Sequence, residues 1–239
     1  MSTRNCFFFA LTLACSIVAI PAVSAPVAPP AQDLESAKVY GCIRSYETLL
    51  PGDYYACLAK YYFQRKHYRQ MVEMLEESAH WANKDAQYTL GLIYYNGDTP
   101  GVPANRPLAI AWLALAAERK NPAYLQAYDA ISLRSTPEEI QAATNISNKM
   151  KLEYGDKVAG LRALRQFNRG IYTLDEAANY GGPVLLSGFS PYPEQAFAAV
   201  KKLHDIADHD FEGLQGTVTV GSLKIEDRLR DENTVGKNP

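Results

Sequence analysis

The densest run of chemistry-bearing side chains is His204-Asp205-Ile206-Ala207-Asp208-His209-Asp210. On a helix, His204 and Asp208 fall one turn apart on a common face, a spacing at which an imidazole and a carboxylate can ligate one divalent ion. A metal centre needs at least three converging ligands, and this run closes a predicted helix, where polar residues face water. Solvated side chains are therefore expected there, with no metal assigned. Gly188-Phe189-Ser190-Pro191-Tyr192 lacks the last glycine of a nucleophile elbow and carries a proline where the helix should start. No Gly-rich phosphate loop, dinucleotide fingerprint or Cys-x-x-Cys occurs, so no cofactor is expected. Glu73, Glu76 and Glu77 share one helix and read as a solvated face. His67 and His80, beside Tyr68 and Trp81, read as partly buried structural residues. Taken together, the side chains favour binding over catalysis.

The cysteines carry more information. Residues 1–25 have the form of a secretory signal: Arg4, an apolar stretch from Phe7 to Ile20, then small residues Ala22, Ser24 and Ala25. Pro26 hinders cutting directly after Ala25, and cleavage after Ala22 is the alternative. Thr12-Leu13-Ala14 places leucine one position away from the lipidation box that anchoring at Cys15 would require, which argues against a lipid anchor. The apolar stretch is shorter than the roughly 20 residues of a membrane-spanning helix, and no later run approaches that length. A periplasmic or secreted location follows as the expectation. Export would leave Cys42 and Cys57 in an oxidising compartment, either as a disulfide or as two buried thiols. Both are expected on helices flanking Leu50-Pro51-Gly52, and an antiparallel hairpin would bring them together.

Charge excludes one class of partner. The chain of 239 residues has a formal net charge of −2, so it has no basic excess with which to neutralise a phosphate backbone, and nucleic acid is not an expected partner. The 16 tyrosines, most of them before Asp129, are a surplus suited to interfaces, because a phenol joins a large apolar area to a polar tip. Tyr88 and Tyr95 lie seven residues apart on one helix face. They are expected either to meet a partner or to pack on the adjacent hairpin.

The elements that position these residues are helices. Pro26 to Gln32 is a proline-rich linker, and Asp33 is a good N-cap for a helix from Leu34 to Leu50, with Pro51-Gly52 as its stop. After Asp53, Tyr54, Leu58 and Tyr62 line one helix face, and Tyr68, Met71, Val72 and Leu75 line the next. A second pair repeats the pattern. Leu58, Ala59 and Tyr62 match Leu90, Gly91 and Tyr94 at a shift of 32, and Tyr68, Met71, Val72 and Leu75 match Ala109, Trp112, Leu113 and Ala116 at a shift of 41. Internal similarity of this period marks a helical solenoid.

The second unit, from Asp85 to Asn121, has a more specific pattern: Ala86-x-x-x-Leu90-Gly91-x-x-Tyr94-x-x-Gly97, then Val102, then Ala109-x-x-Trp112-x-x-x-Ala116-Ala117. It resembles the Sel1-like repeat, a relative of the tetratricopeptide repeat. Gly91 and Ala116 would let two helices approach, Tyr94 and Trp112 would fill the pair, and Gly97 would close its first helix. The Asp98-Thr99-Pro100-Gly101 insertion departs from the family pattern, and Asn105 stands where an aspartate is common. The resemblance covers about 40 residues, with the pair before it as a divergent copy. It implies a mainly α fold, a short α-solenoid of antiparallel hairpins, over residues 33–170, with capping helices downstream.

Thr136-Pro137-Glu138-Glu139 and Thr173-Leu174-Asp175-Glu176 are capping boxes, the second for a short helix ended by Gly181-Gly182-Pro183. Residues 171–221 read as a small α/β segment. There Val184-Leu185-Leu186 and Thr217-Val218-Thr219-Val220 would pair around a helix from Pro193 to Ile206. Residues 222–239 read as a charged tail. Three functional readings remain open: a scaffold or interaction module for another envelope protein or peptide, an envelope enzyme with its site in the segment from Gly181 to Gly221, and a purely structural subunit.

Overall fold

Proline loses no intrahelical bond at the first turn of a helix, because that N–H has no partner there. Pro51 takes this place in a computed structural model, which describes residues 41–214, and it opens a helix where the sequence suggested a stop. Gly52 is buried in the same turn, and its carbonyl accepts a 2.7 Å hydrogen bond from the Ser78 hydroxyl. The helix expected up to Leu50 is reduced, within the described residues, to one turn, α1 (Tyr46–Leu49). Eight longer helices follow among the described residues: α2 (Pro51–Gln64), α3 (Tyr68–His80), α4 (Lys84–Asn96), α5 (Arg106–Ala116), α6 (Pro122–Ser132), α7 (Pro137–Tyr154), α8 (Leu161–Tyr180) and α9 (Ala196–Asp210). A 3₁₀ turn (Ala117–Arg119) follows α5, and a π turn (Asp156–Gly160) joins α7 to α8. The signal, the linker, Cys15, Thr217 to Val220 and the charged tail lie outside the described residues.

Short polar side chains start four of these helices by accepting from otherwise orphaned N–H groups. Asn83 accepts from Ala86 N at 2.9 Å, Asn105 from Leu108 N at 3.2 Å, and Asn121 from Ala123 N at 2.9 Å. Thr136 and Glu139 form both halves of their capping box. The second box is not used. Thr173 to Glu176 lie inside α8, because Ile171 is buried and Leu174 packs with it, so the apolar face carries the helix through to Gly181.

Helix α2 packs on α3, α4 on α5, and α3 on α4, while α5 also meets α6 and α7. Five of the seven matched positions are buried in both pairs: Leu58 and Leu90, Ala59 and Gly91, Met71 and Trp112, Val72 and Leu113, Leu75 and Ala116; Tyr62 is buried where Tyr94 is half-buried, and Tyr68 is half-buried where Ala109 is buried. Ala86 is buried beside them and Tyr94 is half-buried. Gly91 is dictated by contact, since a β-carbon there would stand 2.6 Å from Leu113 Cγ. Gly97 is dictated by its backbone, left-handed at φ 63°, and by Ala104 packed against it. The Asp85 to Asn121 unit is thus a closely joined helix pair.

A second apolar cluster joins the first and last helices of the described residues, bringing Leu49 and Leu50 against Phe167, Ile171, Val200 and Leu203 of α8 and α9. The expected pairing of Val184 to Leu186 with Thr217 to Val220 lies outside the described residues. Within them, strand β1 (Pro183–Val184) pairs antiparallel with β2 (Glu194–Gln195), leaving Leu185 and Leu186 beyond it, and the connecting loop turns through Gly188 at φ 81°. Helix α9 begins three residues later than expected and ends four residues beyond Ile206. Among the described residues no helix is long and apolar enough to cross a membrane.

Cys42 and Cys57 form a disulfide with their Cα atoms 5.6 Å apart. Cys57 is on α2, but Cys42 stands in the irregular segment before α1 and not on a helix. The bridge ties that segment to the first helix pair, which is what a hairpin was expected to do. Chain entropy for a separation of 15 residues gives about 3 kcal/mol. The double variant Cys42→Ala, Cys57→Ala is therefore expected to lose about that much in urea unfolding. Reduced wild-type protein should match it, and an unchanged midpoint would count against this role.

Candidate functional site: a cleft at three helix starts

A cleft of about 410 Å³ opens where the first turns of α2, α4 and α6 meet the last turn of α9. Each of those starts has a local cause: Pro51 at N1, Asn83 as N-cap, and Asn121 as N-cap before Pro122. Asp53 and Asp85, which are 32 residues apart and equivalent in the two pairs, both line it. Trp81, Tyr124 and Phe211 add aromatic walls, while His209 and Asp210 enter from α9.

The acidic groups in this cleft are crowded. Asp53 and Asp210 both line the cleft and lie close enough to perturb each other. Burial, first, and then the charge of Asp53 push Asp210 up to about 8. Asp53 is raised as well, again chiefly by burial, although the Asn83 side-chain amide donates to it at 3.1 Å. Asp85 accepts from the Tyr124 hydroxyl at 2.5 Å. Burial and that bond raise the Tyr124 phenol.

The cations on the walls are bound within the fold. Lys84 Nζ donates to Leu115 O at 2.7 Å and to Gln87 Oε1 at 3.1 Å, and pairs with Glu118 at 3.2 Å and Asp156 at 3.1 Å. Burial pulls its pKa down, while the two carboxylates oppose this. The Arg119 guanidinium forks onto Asp156, its nearest oxygen 2.9 Å away, and donates to the carbonyls of Ala82 and Asp210. Lys120 and His209 are the exposed basic residues of the lining. A ligand in this cleft would meet carboxyl groups, aromatic faces and two exposed basic side chains.

Of the run from His204 to Asp210, only His209 and Asp210 reach the cleft, and the other residues singled out from sequence lie elsewhere. His204 Nε2 stands 3.1 Å from Asp175 and its ring meets Phe167 edge-on, while Asp208 is exposed. Among the described residues no three His, Cys, Asp or Glu are placed to hold a metal ion. Ser190 accepts from Tyr192 N in the loop between β1 and β2. His80 is half-buried against Trp81 and Tyr154, but His67 is exposed at the start of α3, contrary to expectation. The glutamates of α3 are not a fully solvated face. Tyr94 donates to Glu76, and Glu153 from the end of α7 comes close enough that burial and its charge raise Glu76 and Glu77.

Tyr88 and Tyr95 are half-buried, each packed on neighbouring side chains of the protein. Tyr88 lies 5.3 Å, ring to ring, from Tyr124 of α6, and Arg106 lies over the Tyr95 ring at 5.2 Å. Both pack on the small cluster of Ile110, Leu113 and Ile131, because α6 covers that face of α4. Asp53 and Arg119 escaped notice as site residues, and Asp210 was read as part of a solvated helix end. Only the repeat shift relating Asp53 to Asp85 hinted at a shared edge. No family model, curated protein or solved structure matches the chain, so the Sel1-like resemblance rests on the residues that carry it.

Proposed function

We propose that this protein is an exported interaction module, a short stack of Sel1-like helix pairs whose cleft receives a peptide segment of another envelope protein. The observation that carries this reading is the building of the cleft from equivalent first turns of successive pairs, with Asp53 and Asp85 on one edge and Trp81 and Tyr124 beside them. Its volume falls in the usual range of ligand sites. The Cys42–Cys57 disulfide and the signal-like first 25 residues support export.

The test is capture of the envelope partner by tagged protein. The exposed substitution Lys120→Glu together with Trp81→Ala is expected to reduce capture at least tenfold while the helical circular-dichroism signal is kept. Undiminished capture would move the interface off the cleft. One observation favours a second reading, an envelope enzyme: Asp53 and Asp210 are two carboxyl groups crowded into one cleft, and such pairs serve acid–base chemistry. That reading requires turnover of a peptide or ester substrate that Asp210→Asn abolishes.

A further inference from the structure

We propose that the turn between α2 and α3 is a membrane-docking tip, which sets Lys60, Arg65, Lys66 and Arg69 among anionic lipid headgroups and Phe63 into the acyl boundary beneath them. The whole chain has a net charge of −2, yet residues 54–72 contain these four cations and no aspartate or glutamate. All four cations are exposed, and so is Phe63, at 56%. The turn is fixed by the core below it. Lys66 takes a left-handed backbone at φ 60°, and His67 N donates to the Tyr62 carbonyl at 2.9 Å. Arg65 lies over the buried Tyr61 ring at 4.7 Å, and Phe63 meets the half-buried Tyr68 edge-on at 6.3 Å.

Helix ends alone do not account for this composition. The free carbonyls at the end of α2 favour Arg65, but Arg69 stands in the first turn of α3, where the helix dipole disfavours a cation. Its partner Glu73, 2.9 Å away, is the first carboxylate met along α3. Four cations call for an anionic surface, and the exposed ring selects lipid over an acidic protein. A fluid acyl boundary receives a protruding phenylalanine without a preformed pocket, while the headgroups above it meet the charges.

The position of the tip also suits docking. The first turn of α2 lines the cleft, and the 14 residues of that helix put its other end about 21 Å away. Seated on lipid by this end, the protein would turn its cleft towards other proteins of the compartment. The tip goes beyond the cleft reading and does not rest on it, since no protein partner enters the test.

That test is cosedimentation of protein recovered after export, lacking residues 1–25, with vesicles of phosphatidylcholine alone or with a third of the lipid as phosphatidylglycerol. Wild type should sediment with the anionic vesicles only, and about 0.5 M salt should release it. Each basic residue near such a surface contributes about fivefold to partition, so Arg65→Ser with Lys66→Asn should lower it about 25-fold. Asparagine is chosen because it tolerates the left-handed backbone. Phe63→Ser should lower partition about tenfold, with the helical circular-dichroism signal kept. Should that variant not fold, Phe63→Trp gives the same decision: acyl-brominated phosphatidylglycerol vesicles should quench its new indole and leave Trp81 and Trp112 of wild type unquenched. Equal partition of wild type into both vesicle types, or undiminished partition of the charge variant, would overturn the tip. So would a loss produced instead by Phe197→Ser, at the exposed start of α9. Wild type that stays in solution with both vesicles would overturn it as well, leaving the turn to a soluble acidic partner.

Discussion

Replacing Arg119 by alanine is expected to destabilise the protein by about 4 kcal/mol and to lower Tm by about 10 °C. The guanidinium is only 7% exposed and binds groups from three places: Asp156 in the π turn, the Ala82 carbonyl before α4, and the Asp210 carbonyl at the end of α9. Its loss leaves two buried carbonyls without this donor and weakens neutralisation of Asp156, which would then depend on Lys84. Arg119→Lys keeps the charge without the planar fork, so it should recover only part of the loss. Thermal unfolding of both variants checks the claim. A shift below 2 °C for Arg119→Ala would mean that these contacts contribute little.

Trp112→Ala should cost a similar amount, about 4 kcal/mol, by emptying the centre of the main core. Trp112 is 3% exposed, and its ring meets Tyr154 edge-on at 4.9 Å, which makes it the joint between α5 and the end of α7. Trp112→Phe preserves an aromatic edge there and should lose less than half as much. Urea midpoints separate these cases. Equal losses for alanine and phenylalanine would point to the indole's own shape and not to filled volume. The same variant leaves Trp81 as the sole indole, so its fluorescence reports on the cleft.

The parts of this fold that could be read from sequence are those in which one residue decides one local conformation. Gly97 at a left-handed helix end, the Thr136–Glu139 box and the matched apolar positions of two helix pairs all belong to this class. Pro51 misled because proline both ends helices and starts them, and the buried Gly52 carbonyl bonded to Ser78 decides between these only in three dimensions. The Thr173–Glu176 box failed for a related reason: its donors are already used inside α8. The disulfide was legible from cysteine count and compartment, while the place of Cys42 was not.

The cleft was the least legible feature. Asp53 reads as an ordinary first-turn aspartate and Asp210 as a solvated helix end, and nothing local announces that they share a cleft. Their proximity is a consequence of α8 and α9 folding back onto the α1–α2 junction. Tyr88 and Tyr95 show the converse. Their spacing on a helix face was plain, but whether that face met a partner or the protein itself depended on where α6 lay.

The central claim, that the cleft at the starts of α2, α4 and α6 receives another protein, is tested most directly by site-specific photo-cross-linking in intact cells. A photoreactive residue would be placed singly at Lys120 or Tyr124 in the cleft, and at the exposed Leu133 and Leu152 as controls. The account predicts one recurrent envelope-protein adduct from both cleft positions, identified by mass spectrometry, and none of that adduct from the controls. An adduct formed equally well from Leu133 or Leu152, or none from either cleft position, would contradict it.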